Sequence, residues 1–422
     1  MAGTALVAAT MLAAGGAAAQ DKKMMKPSIS VNGYYEGVVG GVLDNTMETK
    51  HSYKAVGSDD GNTTAPTDAL TRTAATPSTT NNKTDTSALD TKTDAEIHFN
   101  GRATLDSGMK IHARVELEGQ NHHSQAGDPI DEYFLSVSGT FGRIILGGTG
   151  GAPVKMLTGL SGSWATGVGE TLSFDVNNWL NPASPANFYQ IQHSRLDTGD
   201  AEKVTYISPK LGGFQVGMTY SPNRMNNDDN LRINAEKSLH DGIEGAVSYT
   251  GKFGDVGFGV GGGMTRYAGC NKPKVATNMC DGKDMSDWLV AARIDFAGGF
   301  RAAVAHKRVT DDNKMNQGNL TDAGVRFVQG ANSFSLAGVL GEMKNTDASY
   351  TAVMGSYARA LGPGVKWHAN VIWMDSESAK SNGTRYGTDG AALATQTDAG
   401  YQQVNQDENS GIALVTGIKV VF

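Results

Sequence analysis

Residues 95–119, AEIHFNGRATLDSGMKIHARVELEG, alternate between two classes of side chain. Ile97, Phe99, Gly101, Ala103 and Leu105 form one series, and Glu96, His98, Asn100, Arg102 and Thr104 form the other. Past Asp106-Ser107-Gly108, Met109, Ile111, Ala113, Val115 and Leu117 alternate with Lys110, His112, Arg114, Glu116 and Glu118. Period two is the signature of a strand, because successive side chains point to opposite faces. A three-residue turn with Gly108 in the left-handed region sets Leu105 opposite Met109, Arg102 opposite His112 and Asn100 opposite Arg114. Two environments suit such a hairpin. In a soluble sheet the apolar face covers a core, and in a membrane barrel it faces lipid while the charged face lines water.

The same alternation recurs along the chain. It predicts strands at Ser28–Leu43, Ile130–Gly139, Gly142–Gly148, Glu202–Ser208, Phe214–Ser221, His240–Tyr249, Val256–Tyr267, Ser286–Phe296, Phe300–Val309, Thr321–Val328, Phe334–Met343, Ser349–Ala360, Val365–Met374 and Gly411–Phe422. With the opening hairpin these make sixteen. Every second connection is short and usually has Gly in or beside it; most of the others are long and polar, Lys344–Ala348 being the exception. Sorting of this kind describes an outer-membrane barrel with both termini on the short-turn side. Outward series such as Trp288, Val290, Ala292, Ile294, Phe296 and Val365, Trp367, Ala369, Val371, Trp373 are apolar, while Arg293, Asp295, Lys366, His368 and Asn370 alternate with them.

Composition agrees. No stretch approaches the run of about 20 apolar residues that a membrane helix needs, whereas a barrel strand needs about 10 and turns only half of them to lipid. Residues 1–19 are small and apolar and end in Ala17-Ala18-Ala19, which predicts a secretory signal cleaved before Gln20, although the usual leading Lys or Arg is absent. A formal charge of −7 argues against a nucleic-acid partner. Cys270 and Cys280 lie in a polar stretch; in an exported protein they are expected to form a disulfide pinning one loop.

The segments IDEYFLSVSGTFGRIILGG and VTYISPKLGGFQVGMTYSP, the hairpin above, and the ending GIALVTGIKVVF together resemble Gram-negative general (non-specific) porins of the sixteen-stranded trimeric type, alphaproteobacterial in flavour. The resemblance spans essentially all of the mature chain, residues 20–422. It implies a homotrimer of barrels in outer-membrane lipid and lipopolysaccharide, each a passive pore for small hydrophilic solutes and ions. It implies that Phe422, with Val420 and Ile418, is the signal read by the barrel-insertion machinery. It also implies that the third long loop, about 149–190, folds inward, so that its Glu170 and Asp175 face basic side chains on the wall. The wall candidates are His98, Arg102, Lys110, His112, Arg114, Arg143 and Arg293. Arg102 and Arg114 are favoured, being mid-strand and opposite no acid, whereas His98 could instead pair with Glu116 across the hairpin. The first long loop, about 44–93, is longer than the family's, and its role stays open.

No catalytic constellation stands out, so an enzyme is not expected. His122-His123 lacks further ligands, and Asp59-Asp60-Gly61-Asn62 lacks a complete set for Ca²⁺; no cofactor is expected, loop Ca²⁺ being the one candidate. Two alternatives are a substrate-selective channel, which the mixed charge signs disfavour, and a barrel-anchored adhesion or structural protein. The latter would want aromatics in the first loop, which has only Tyr53.

Overall fold

The computed structural model describes residues 27–56, 78–81, 89–119, 130–169, 179–180, 194–196, 199–223, 240–269, 284–311, 317–344, 348–378, 380–387 and 400–422. The strands are β1 (Ser28–Val56), β2 (Ser78–Asn81), β3 (Asp90–Thr104), β4 (Lys110–Glu118), β5 (Ile130–Gly139), β6 (Gly142–Gly148), β7 (Glu202–Ile207), β8 (Phe214–Asn223) and β9 (His240–Phe253). There follow β10 (Val256–Ala268), β11 (Met285–Asp295), β12 (Phe300–Asp311), β13 (Gly318–Gln329), β14 (Asn332–Met343), β15 (Ser349–Gly362), β16 (Val365–Glu377), β17 (Ser381–Gly387) and β18 (Gly400–Val421). β2 and β17 are short side strands in the first and last long connections. The other sixteen form one closed antiparallel barrel in which each strand pairs with its neighbours in the chain and β1 pairs with both β3 and β18. No described helix is long and apolar enough to cross a membrane; the strands do that work.

The opening hairpin has the expected register, with Arg102 opposite His112 and Asn100 opposite Arg114. Leu105 N–H donates to Met109 O at 2.8 Å across the turn, where Gly108 has φ +83°. Closure is complete at the terminal edge: Tyr34 lies opposite Val421 and Val56 opposite Gly400, and Gly33 and Phe422 exchange backbone hydrogen bonds of 2.9 and 3.0 Å. An unpaired edge in lipid would cost several kcal/mol for each orphaned group, so this pairing is a condition of insertion.

The outer face carries Ile29, Val31, Phe99, Leu135, Leu146, Val216, Val290, Leu336, Val371 and Leu414, all exposed. Two extensions exceed the alternation. β1 runs to Val56 and β18 begins at Gly400, so the barrel wall rises into the polar first and last connections. The inner face also departs from the simple apolar-out, charged-in rule. On β13–β18 it carries Leu320, Val339, Met343, Tyr350, Met354, Ile372, Met374 and Val415, all buried. They are apolar because a segment of the chain lies on them inside the barrel.

Candidate functional site

That segment is the third long connection. It enters the lumen as a short helix α1 (Ala152–Leu157), a 3₁₀ turn (Thr158–Leu160) and a second helix α2 (Gly162–Thr166). Its seat on β10 is made of glycines. Gly259, Gly261 and Gly263 share the inner face, and a Cβ on each would lie 2.6–2.9 Å from a methyl group of Leu160 or Leu157. The absence of side chains lets the loop reach the strand backbone. Leu157, Leu160 and Leu196 are thereby buried to 1–3% exposure against Ala246, Leu289, Ala291 and Ala305. Each fully buried leucine is worth about 1.5–3 kcal/mol.

Polar contacts complete the seat. Asp322 on β13 accepts from Ser163 N–H (2.7 Å), Ser163 Oγ (2.9 Å) and Ser194 Oγ (2.5 Å), and so joins the outgoing and returning legs of the loop. Wall cations donate to loop carbonyls: Arg293 to Gly159 O (2.6 Å), Arg301 to Ala165 O (3.1 Å), Lys366 to Val168 O (3.2 Å) and Lys307 to Arg195 O (3.2 Å). Asp295 bridges Arg293 (2.9 Å) and Arg301. Further round, Trp179 packs on Gly40 of β1, and Asn409 of β18 donates to Leu180 O at 3.0 Å.

The wall of β3–β6 carries the other expected wall candidates, His98, Arg102, Lys110, His112, Arg114 and Arg143. Arg102 is exposed and donates only to Ser30 Oγ at 3.2 Å. Arg114 pairs through Nε with Glu116 at 2.5 Å, and its Nη2 donates to His98 Nδ1 at 2.9 Å. His98 is buried and lies 2.6 Å from Glu96 and 3.6 Å from Glu116. His112 Nε2 donates to Asn100 Oδ1 at 2.8 Å, and its ring stands edge-on to Phe134. Arg143 and Lys155 both lie over the Phe134 ring at 5.7 Å. Lys155, on α1, reaches lumen water, yet crowding by protein pushes its ammonium below the ordinary lysine value against the pull of Glu132. Lys110 is exposed beside the turn. Along this wall the carboxylates Asp94, Glu96, Glu116, Glu118, Asp131 and Glu132 lie toward the long connections, and Arg102, Lys110, His112 and Arg143 toward the turns.

Glu96, His98 and Glu116 bring three potential ligand atoms within 4.8 Å of one another, as do Glu96, Glu118 and Asp131. Donor accounting favours an ion-pair ladder for the first group. His98 Nδ1 accepts from Arg114, so Nε2 carries the proton and donates to Glu96, and neither ring lone pair is left for a metal. Glu170, Asp175, Cys270, Cys280, His122-His123 and Asp59–Asn62 lie outside the described residues. Asp322, Arg301 and Arg326 were not among the expected site residues; their alternation marks the inner face, but only the loop's path reveals that Asp322 and Arg301 hold it.

The barrel is closed, apolar toward its outside, and partly filled by the inserted loop, with charged side chains on the β3–β6 wall. Comparison with known proteins agrees. The fold is that of the anion-selective porin from Comamonas acidovorans, with a TM-score of 0.54 at 17% identity over 94% of this chain and 100% of that one. It is also that of the outer membrane channel DcaP of Acinetobacter baumannii, with a TM-score of 0.51 at 9% identity over 94% and 97%. No curated protein matches the chain. Residues 2–379 match the family described as Gram-negative porin. The chain belongs to that family: it is an outer-membrane porin that forms a diffusion channel and is not an enzyme.

Proposed function

We propose that this porin is a general channel of the trimeric, alphaproteobacterial-like type, passing small hydrophilic solutes and ions without a dedicated substrate. The observation that carries the reading is the seated third connection. It lies mainly on β8–β18, touches β5 and β6 through Met156 and Lys155, and leaves Arg102 and Lys110 of the β3–β4 wall exposed, with acids toward the long connections and bases toward the turns. Mixed signs on one wall give no ladder of like charge to select a single solute. The narrow point lies between Arg102 and Arg114, supported by His98, His112, Lys110, Arg143 and Arg293, and the loop carboxylates Glu170 and Asp175. Because Arg114 shares its charge with Glu116, Arg102 contributes the larger part.

Reversal potentials in a salt gradient test this assignment. Glu170→Gln with Asp175→Asn should move ion preference toward anions, and Arg102→Gln with Arg114→Gln toward cations. Bulk salt screens such charges poorly across a gap no wider than the Debye length of about 8–10 Å. If both double variants keep the wild-type potential, neither set lines the narrow point. A second reading, an ion-selective channel, draws on the Comamonas porin's description as anion-selective and on the gathering of Arg293, Arg301 and Arg326. A strongly anion-preferring wild-type potential would favour it.

A further inference from the structure

Beneath the inserted loop, at the short-turn end of β13–β18, the lumen wall opens into a cavity of about 620 Å³. Three cations line it, Arg326, Lys366 and Lys419, and none of its lining residues is a carboxylate. Gly167 and Val168 of the loop form its roof, and the surface between the charges is apolar, with Val328, Ala358 and Val421 among its atoms. The size falls within the range of small-molecule sites, about 300–1,000 Å³, which are mostly apolar with a few placed polar groups.

The three cations differ in their commitments. Lys366 donates to Val168 O, which holds its ammonium at the roof. Lys419 lies 2.8 Å from Glu36 and over the Tyr34 ring at 4.0 Å. Arg326 makes no hydrogen bond or ion pair among the described residues. The acid nearest to it in charge terms, Asp295, is already shared by Arg293 and Arg301, whose like charges also act on Arg326. A guanidinium in this position, crowded by two others, gains from an anion that presents a carboxylate to its fork.

We propose that this cavity is a subsite for small organic anions carrying two or more carboxylates, held between Arg326 and Lys366 with the carbon skeleton on the Ala and Val surface. It lies at the periplasmic mouth, away from the β3–β6 wall, and goes beyond the general pore reading. Its role would be to retain such solutes briefly after they pass the narrow point, raising their local concentration relative to neutral ones.

The test is single-channel current through the full-length protein in planar bilayers, in KCl, with citrate added to one side and then to the other. Citrate on the turn side should produce brief, concentration-dependent interruptions. Arg326→Gln, which disturbs no loop contact, should raise the half-blocking concentration about tenfold, the effect of losing one charge-assisted hydrogen bond. Adding Lys366→Gln should raise it further. Lys210→Gln removes one charge at the β7–β8 turn, outside the cavity, and should leave block unchanged. Equal block in wild type and Arg326→Gln, or no block of an otherwise conducting wild type, overturns the subsite. Inorganic phosphate blocking as well as citrate overturns its organic character. Absence of any wild-type conductance would instead refute the open-pore reading on which the assay stands.

Discussion

Asp322→Ala removes the residue that ties the two legs of the inserted loop to the wall. Its carboxylate accepts from a backbone N–H and two serine hydroxyls. Hydrogen bonds to a charged group contribute about 1.5–3 kcal/mol each, so about 5–9 kcal/mol of gross interaction disappears. Burial of a carboxylate costs several kcal/mol in return, and deletion relieves that cost. The net loss is about 3 kcal/mol, or roughly a hundredfold in the ratio of latched to unlatched loop. The leucines on the glycine seat are untouched, so α1 should stay docked while α2 and the strand of chain at residues 194–196 come loose. The barrel's own hydrogen bonds are also untouched. In planar bilayers the variant should show larger unit conductance and excess open-channel noise, while a heat-modifiable shift on mild-detergent gels confirms a folded barrel. Asp322→Asn keeps an acceptor for Ser163 N–H and should lie between the two. A folded Asp322→Ala with wild-type conductance and noise would refute the latch.

Gly259→Val should displace Leu160, since even a Cβ there would lie 2.6 Å from its methyl with no backbone atom as close. Loop-dependent noise should rise, and Leu160→Ala in the same chain should restore quiet channels. The outward series Gly101, Ala103 and Ala113 is small enough for barrels to approach closely, so Ala113→Trp should convert a heat-sensitive oligomer on mild-detergent gels into monomer. A wild type that runs only as monomer would remove the trimer from the proposal.

The barrel was legible because lipid and water impose opposite demands on alternate residues. Strand ends at the tight turns were readable from Gly108 and from the close spacing at Thr140-Phe141. Ends at the long connections were not. Asp44–Val56 shows no apolar alternation although its backbone pairs with β18 throughout. The inner face was only partly legible. Leu320, Val339 and Met354 occupy positions that the alternation assigns to water, and they are explained only by a loop remote in sequence. One clue was available: Gly257, Gly259, Gly261 and Gly263 recur at period two, and a strand that gives up side chains on one face leaves room for a close neighbour. Nothing in the sequence around Asp322 says that Ser163 and Ser194 will meet it, because that pairing depends on the whole circuit of the loop. His98 and Arg114 were readable as wall residues, but their shared ladder with Glu96 and Glu116 needed the geometry.

The inserted loop touches both sides of the terminal seam, with Trp179 against Gly40 of β1 and Leu180 O bonded to Asn409 of β18. These two anchor points come together only when the first and last strands are paired. Loop docking and seam closure are therefore coupled: each set of contacts stabilises the other. The loop that narrows the finished pore also acts as an internal clasp: a barrel with its seam apart also loses part of its plug, and one whose loop has come loose holds its seam less firmly.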